Sequence, residues 1–217
     1  MTLSDRAASL AVVVLAKRPI AGRVKTRMVP PLTYAEAADL AAAALRDTLR
    51  VVDAARFARS VLSFDSDPTG WLPLGWVAHR QPQGGLDRRI VAALQSVTSH
   101  PVVLVGMDTP QLSAMALLAF DPVGYDACLG LATDGGYWAI GFADSADAAR
   151  CVPGVPMSLP TTGVEQLRRM RAAGLRVQLL EELTDVDTLA VAREVASDAE
   201  QTEFAAMLRA VLAEPVR

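Results

Sequence analysis

The stretch AVVVLAKRPIAGRVKTRM, residues 11–28, decides the predicted fold. It begins with an apolar segment, Ala11–Ala16, that is typical of a strand. Five cations follow within eleven residues: Lys17, Arg18, Arg23, Lys25 and Arg27. Like charges repel each other unless an anion lies among them, and ligands of open α/β sheets bind where strands end. The stretch therefore predicts a ligand rich in phosphate. The alternative is a solvated basic loop.

Composition restricts the class of protein. With 52% hydrophobic and 21% charged residues among 217, the chain can bury a sizeable core and is not a disordered sequence. The net charge of −3 gives no signature of nucleic-acid binding. Cys128 and Cys151 lie far apart without CxxC spacing, which favours reduced thiols with a packing role over a disulfide or a zinc site.

The sequence predicts no membrane span. No apolar run approaches the ~18 residues that a span requires, and the short apolar run after Asp5 and Arg6 lacks a cleavage site. We therefore expect a soluble, cytoplasmic protein. A histidine-based triad or metal centre has few candidates, because the chain contains two histidines, His79 and His100.

Alternating strand-like and helix-like segments predict an α/β fold with a mostly parallel sheet. Thr33 and Glu36 form a capping-box pattern that opens a helix extending to about Val52. The turn at 134–136 lies between two apolar runs, which predicts an antiparallel hairpin in the sheet. Near the C-terminus, an apolar stripe at helical spacing is expected to dock on the core or on a partner chain, such as a second copy. Its members are Phe204, Met207, Leu208, Val211 and Leu212.

Charged residues follow several predicted strands, and the ends of parallel strands can meet at one rim of a sheet. Cations for phosphates beside carboxylates for a divalent metal suit phosphoryl or glycosyl transfer from a nucleotide. Mg²⁺ takes one or two carboxylates and fills its other positions with phosphate oxygens and water, so Asp108 with Asp185 or Asp187 would suffice. The metal and the basic loop would share the negative charge that builds on the departing phosphate.

Each of these residues also has a structural interpretation that the sequence leaves open. Asp108 could cap the turn that follows it. Asp185 and Asp187 could cap a helix that begins nearby. The hairpin turn alone accounts for Asp134. The glycine pair at 84–85 suggests close backbone approach to a ligand, although a lone pair of glycines is weak support.

Four ordered motifs resemble a known family: KRPIAGRVKTRM at 17–28, GMDTPQL at 106–112, TDGGYWAIGF at 133–142 and DVDT at 185–188. They are similar to the bacterial DUF2064 proteins, glycosyltransferase-like members of the nucleotide-diphospho-sugar transferase superfamily. The resemblance covers about Ala11 to Ala196. It implies a GT-A, Rossmann-like, three-layer α/β/α fold with a mostly parallel mixed central sheet, as a single domain over 1–217. The KTR triplet and DVDT also resemble, more distantly, the guanylyltransferases that activate 2-phospholactate.

The resemblance also implies site residues. It places Asp108 at the metal-binding aspartate of the superfamily and frames a nucleotide pocket with Lys17, Gly22, Lys25, Thr26 and Arg27. The chain departs from the family pattern at two positions. Asp87 takes the place of the second glycine of the family's glycine-rich loop, with Arg89 following it, and Thr109 stands where the family often has cysteine, which argues against thiol chemistry.

Three functions are compatible with these residues. The first is nucleotidylyl transfer from a nucleoside triphosphate to a small phosphorylated or acidic acceptor, favoured because the basic loop carries more charge than a diphosphate requires. The second is glycosyl transfer from a nucleotide sugar, with Asp134 or Asp185 orienting an acceptor hydroxyl. The third is a non-catalytic nucleotide-binding or partner-binding protein.

The candidate site residues fall into three groups, and Mg²⁺ or Mn²⁺ is the expected cofactor. The candidate catalytic residues are Lys25, Asp108 and Asp134. The candidate metal ligands are Asp108, Asp185 and Asp187. The candidate nucleotide-binding residues are Lys17, Gly22, Lys25, Thr26, Arg27, Gly84, Gly85 and Arg89.

Overall fold

A seven-stranded sheet forms the centre of the structure, a computed structural model that describes residues 3–213. The strands are β1 (Ala11–Ala16), β2 (Arg59–Phe64), β3 (Val77–Arg80), β4 (Val102–Val105), β5 (Ala127–Leu131), β6 (Tyr137–Phe142) and β7 (Val177–Leu179). Their spatial order is β3-β2-β1-β4-β6-β5-β7. The pairs β1–β2, β1–β4, β2–β3 and β5–β7 are parallel, and β6 is antiparallel to both neighbours. The predicted mostly parallel mixed sheet and the predicted hairpin are confirmed.

Eight α-helices surround this sheet in the described residues. They are α1 (Leu3–Ala7), α2 (Tyr34–Ala55), α3 (Leu86–Gln95), α4 (Ala114–Leu118), α5 (Ala148–Cys151), α6 (Thr162–Ala172), α7 (Leu189–Asp198) and α8 (Glu203–Ala213). The capping box at the start of α2 is present as predicted, with the Thr33 side chain accepting from the Glu36 N–H and the Glu36 side chain accepting in return. None of the described helices is both long enough and apolar enough to cross a membrane.

Side chains of β1 alternate between two buried clusters, which makes the fold three-layered. Val12 and Val14 pack in the cluster that includes α2 and α4, whereas Ala11 and Val13 pack in the cluster that includes α3 and α5. A strand covered on both faces is apolar at every position, as β1 and β4 are. Cys128 and Cys151 are free and buried, in agreement with a packing role.

The apolar stripe near the C-terminus packs on the body of the same chain. Helix α8 contacts α2 and α7, and Phe204 and Leu208 are buried there, while Met207 and Val211 pack around them. Leu212, at the end of the stripe, is 40% exposed. The docking of this helix on the core is therefore confirmed.

Candidate functional site

A cavity of about 600 Å³ opens at the carboxyl ends of β1 and β4. The chain leaves β1 toward β2 on one side, while β4 lies on the other side of β1, so the connections diverge between these two strands. Such a point of divergence leaves a crevice above the sheet, and ligands of open α/β sheets bind there. The loops 17–28 and 106–112 form its rims, and the segment 181–187 after β7 reaches the same place.

Lys25 joins three distant parts of the chain in this cavity. Its Nζ lies 2.5 Å from Asp108 Oδ1 and 3.2 Å from Asp187 Oδ1, and its side chain is only 6% exposed. Arg27 Nη1 is 3.0 Å from Asp187 Oδ2. Burial alone would lower the pKa of Lys25, but the two carboxylates outweigh it and raise that pKa, so the side chain stays an ammonium ion. Lys25 also has a left-handed backbone, with φ of 48°, at the centre of the site.

Asp185 carries the most perturbed carboxyl group of the cavity. Burial, followed by repulsion from Asp108, Asp134 and Asp187, raises the pKa of Asp185 to about 7, and Lys25 offsets only part of this. Four carboxylates therefore line the same cavity, and the nearby cations do not fully offset their repulsion at Asp185. Perturbed pKa values of this kind, in a cleft, are typical of functional sites.

Hydrogen bonds between two loops hold Asp108 and the 185–187 segment together. The Val186 N–H donates to the Asp108 carbonyl at 2.8 Å, and Gln111 Nε2 donates to the Thr184 carbonyl at 2.7 Å. The first bond holds Asp108 beside the 185–187 segment, and the second holds the end of the 106–112 loop against Thr184. Gln111 belongs to the GMDTPQL motif, but its role in holding the two loops together was not predicted from the sequence.

The structural alternatives for the acidic residues have different outcomes. The helix after DVDT is capped by Thr188, whose own Oγ1 accepts from the Val191 N–H at 3.4 Å, so capping by Asp185 or Asp187 is wrong. Asp134 does serve its turn, because its Oδ1 accepts from the Gly136 N–H at 2.8 Å, and it also lines the cavity.

Gln81 and Arg89 line the cavity on the side of α3. Gln81 is buried, and its Nε2 donates to the carbonyls of Ala16 and Ser63, each at 2.9 Å, which fixes the amide. Its Oε1 accepts a long 3.4 Å hydrogen bond from Arg89 Nη1. Arg89 Nε is buried without a hydrogen-bond partner in the described structure. A buried donor without a partner is costly, so this guanidinium is a candidate ligand contact.

The candidate nucleotide-binding residues do not all lie in the cavity. Its lining includes Lys17, Arg23, Lys25, Arg27 and Arg89. Four other candidates, Gly22, Thr26, Gly84 and Gly85, are not among the described lining residues. Gly22 and Gly84 have positive φ angles of 78° and 124°, so the backbone conformation accounts for both glycines.

Comparison with known proteins assigns the chain to a family. The family model named DUF2064, "Uncharacterized protein conserved in bacteria", matches residues 37–159. The chain belongs to the DUF2064 family. No curated protein matches it.

Solved structures similar to this DUF2064 member share its transferase-type fold. A protein from Desulfovibrio desulfuricans G20, named as a candidate nucleotide-diphospho-sugar transferase, is 27% identical with a TM-score of 0.82, covering 93% of this chain and 94% of that one. Rv0371c from Mycobacterium tuberculosis H37Rv, in complex with manganese, is 21% identical with a TM-score of 0.55, covering 87% and 98%. The CMP:2-keto-3-deoxy-manno-octonic acid synthetase, in complex with CTP, is 15% identical with a TM-score of 0.55, covering 89% and 99%.

Proposed function

We propose that this DUF2064 member is a nucleotide-dependent, divalent-metal-assisted transferase, with nucleotidylyl transfer from a nucleoside triphosphate as its first reaction. One observation carries the proposal: the buried Lys25 ammonium, 2.5 Å from Asp108, brings the basic loop and four carboxylates into one cavity. The two groups balance each other only in part: Lys25 and Arg27 pair with Asp108 and Asp187, whereas Lys17, Arg23 and Asp185 make no ion pair within the described residues. A triphosphate with its metal would supply the anion that the basic loop needs and the cation that the carboxylates need.

The donor set fits a divalent metal. Within residues 3–213, no three His, Cys, Asp or Glu side chains are grouped as a ready-made metal centre. Mg²⁺ does not require one, because it binds one or two carboxylates and takes phosphate oxygens and water as its other ligands. Asp108 with Asp185 or Asp187 would hold Mg²⁺ or Mn²⁺, which supplies charge neutralisation at the phosphate oxygens. The manganese complex of Rv0371c supports the choice of a divalent metal.

The residues of the chain would then position the reactants and stabilise charge. An acceptor oxygen bonds to the α-phosphorus while the bond from that phosphorus to the bridging oxygen breaks, and pyrophosphate leaves with the electron pair. Lys25 stabilises the negative charge that develops on the phosphoryl oxygens. Lys17, Arg23 and Arg27 hold the phosphates, and Asp134 orients the acceptor and accepts its proton.

Glycosyl transfer is the second candidate, and the position of Asp134 favours it. This carboxylate lines the cavity from the β5–β6 turn, on the other side of β4 from β1 and the basic loop, where it can orient a sugar or alcohol hydroxyl. The acceptor oxygen would bond to the anomeric carbon, the bond from that carbon to the diphosphate oxygen would break, and the nucleoside diphosphate would leave. The name of the Desulfovibrio relative supports this reaction, and the CTP complex of the synthetase supports the first.

Product analysis separates the two reactions. The full chain is incubated with labelled nucleoside triphosphates or nucleotide sugars, Mg²⁺ or Mn²⁺, and a pool of acceptors. Acceptor-dependent release of pyrophosphate supports nucleotidylyl transfer, and release of nucleoside diphosphate from a nucleotide sugar supports glycosyl transfer. Release of neither product, with nucleotide binding intact, would leave only a binding function.

A pair of variants tests the metal assignment. Asp108→Asn should lose the metal dependence of nucleotide binding, measured by calorimetry with and without Mg²⁺, because a carboxylate ligand is replaced by an amide. Asp198→Asn is the control, since Asp198 is exposed on α7 outside the cavity lining. Unchanged Mg²⁺ dependence in Asp108→Asn would show that Asp108 is not a metal ligand.

A further inference from the structure

The two walls of the cavity differ in charge. All five lining cations come from the N-terminal half of the described chain, four from the basic loop and Arg89 from α3. We call this the cationic wall. The second wall comprises the lining residues from 134 to 162, which follow β5 in the chain and adjoin β6, on the other side of β4 from β1. Within these described residues it contains no Lys, Arg or His. We call this the cation-free wall; its charged residue is Asp134.

The segment 156–162, which we call the strap, is fixed to the hairpin that carries Asp134. Thr162 Oγ1 donates to the Pro156 carbonyl at 2.8 Å and accepts from the Leu159 N–H at 3.0 Å, which closes the strap on itself. The Gly163 N–H then donates to the Gly135 carbonyl at 2.9 Å. The contact is close, because a Cβ on Gly135 would lie 2.0 Å from the Pro160 carbonyl oxygen.

The strap presents mostly apolar side chains to the cavity. Met157, Leu159 and Pro160 line it, and Leu159 is 50% exposed. Tyr137 also lines the cavity, and its hydroxyl donates to Met157 Sδ at 3.8 Å. Burial, with a smaller contribution from Asp87, raises the pKa of Tyr137, so the phenol remains neutral. This wall therefore offers apolar surface beside the Asp134 carboxylate.

A phosphorylated or carboxylated acceptor suits this wall poorly. Its anion would face Asp134, and the described lining residues of this wall include no cation to balance it. Like charges at contact distance weaken binding by about tenfold or more unless they are compensated. A hydroxyl group, in contrast, can donate a hydrogen bond to Asp134 while an alkyl or aryl portion covers Leu159 and Met157.

We infer that the acceptor is an uncharged hydroxyl compound with an apolar portion, bound between the strap and Asp134. This inference rests on the proposed function, because it assigns the phosphates of the donor to the cationic wall. It replaces the phosphorylated or acidic acceptor expected from the sequence. The acceptor hydroxyl is the nucleophile in either reaction described above.

Benzyl alcohol and benzyl phosphate are probes that share an aryl group and differ in charge. Their affinities are measured by saturation-transfer NMR on the full chain, with Mg²⁺ and inorganic triphosphate present to fill the cationic wall. The alcohol should bind at least about fivefold more tightly than the phosphate. Leu159→Glu should weaken the binding of benzyl alcohol by about fivefold, because apolar contact is lost and a carboxylate is added. Val164→Glu, at a 66% exposed position outside the cavity lining, should have no effect.

Several outcomes would overturn the inference. These are failure of the alcohol to bind, a phosphate that binds at least as tightly, or equal effects of Leu159→Glu and Val164→Glu. Product release on the same samples tests the proposed function independently. If the alcohol binds in a strap-dependent way but no nucleotide is turned over, the proposed transferase function is rejected. If nucleotide is turned over only with phosphorylated acceptors, the inferred class of acceptor is rejected.

Discussion

Two ionic clusters join distant parts of this chain, and they differ in how well their charges are balanced. The first joins α2 to α8 and contains two arginines and two carboxylates: Arg46, Arg50, Asp47 and Glu203. Asp47 is almost fully buried and accepts from the N–H groups of Glu203 and Phe204 at 3.0 and 2.8 Å. Burial alone would raise the pKa of Glu203, but hydrogen bonds from Arg50 and Arg46 lower it. Each charge in this cluster therefore has a partner.

The cluster in the cavity is unbalanced by comparison. Lys25 is shared between Asp108 and Asp187, and Asp185 is left with a pKa raised to about 7 by burial and by neighbouring carboxylates. Each cluster contains three ion pairs, so the number of ion pairs does not distinguish them. We interpret the repulsion at Asp185, in a cleft, as the sign of a functional site, and the fully paired charges between α2 and α8 as structural. Four variants test this difference.

The largest expected effect is on stability, at Asp47. Asp47→Ala removes the acceptor for two backbone N–H groups at the start of α8 and leaves Arg50 with Glu203 as its remaining partner. The free energy of unfolding should fall by about 3 kcal/mol, measured by urea denaturation. Asp39→Ala, at an exposed position of the same helix, is the control. If both variants lose the same small amount of stability, the α2–α8 cluster is not structural.

The next effect is on binding, at Lys25. Lys25→Met should weaken nucleoside triphosphate binding by about a hundredfold, because a buried charge-assisted contact to phosphate is lost. Arg50→Met removes a cation from the α2–α8 cluster and should leave the nucleotide affinity unchanged. Calorimetric titrations of the two variants give the comparison. Equal affinities would mean that the two clusters do not differ in function.

A smaller effect, an increase in the free energy of unfolding, is expected on replacement of Asp185. The folded state keeps the Asp185 proton to a higher pH than the unfolded chain does, so wild-type stability falls as pH rises from about 4 to about 7. Asp185→Asn removes this fall. The variant should match the wild type below about pH 4 and be about 1–2 kcal/mol more stable at about pH 8. Denaturation curves across this pH range measure the difference. A variant less stable than the wild type at alkaline pH would contradict the proposed repulsion.

The smallest effect is expected at Arg46. Its side chain is 40% exposed, pairs with Glu203 and lies 5.8 Å from the centre of the Trp71 ring. Arg46→Met should lower the free energy of unfolding by about 0.5 kcal/mol, because exposed ion pairs and cation–π contacts are weak. A loss well above about 1 kcal/mol would show that the exposed part of the balanced cluster contributes more than exposed ion pairs usually do.

The sequence predicted those parts of the fold that local patterns encode. The bounds of β1, the capping box at Thr33 and Glu36 and the hairpin around 134–136 each depend on neighbouring residues, so all three could be recognised. The convergence of the basic loop with Asp108 could also be expected, because both follow strands that prove to be adjacent and parallel.

Long-range contacts account for what the sequence did not predict. From the sequence, the strap can be recognised only as part of a Pro-rich connection, because its place on the cavity wall is set by contact between Pro160 and Gly135. Helix α5 (Ala148–Cys151) is a single turn, too short to show a period. Gln81 could not be assigned because the carbonyls that fix its amide belong to Ala16 and Ser63, distant in the chain.

The seam between the strap and the hairpin also bears on how this family can diversify. Gly135 and Gly163 have no room for a side chain, so the backbone seam can change little. Met157, Ser158 and Leu159 project from it into the cavity, and Leu159 is half exposed, so their replacement leaves the seam intact. New acceptor preferences could therefore evolve, or be engineered, through these three positions while the cationic wall, to which the donor phosphates are assigned, stays constant.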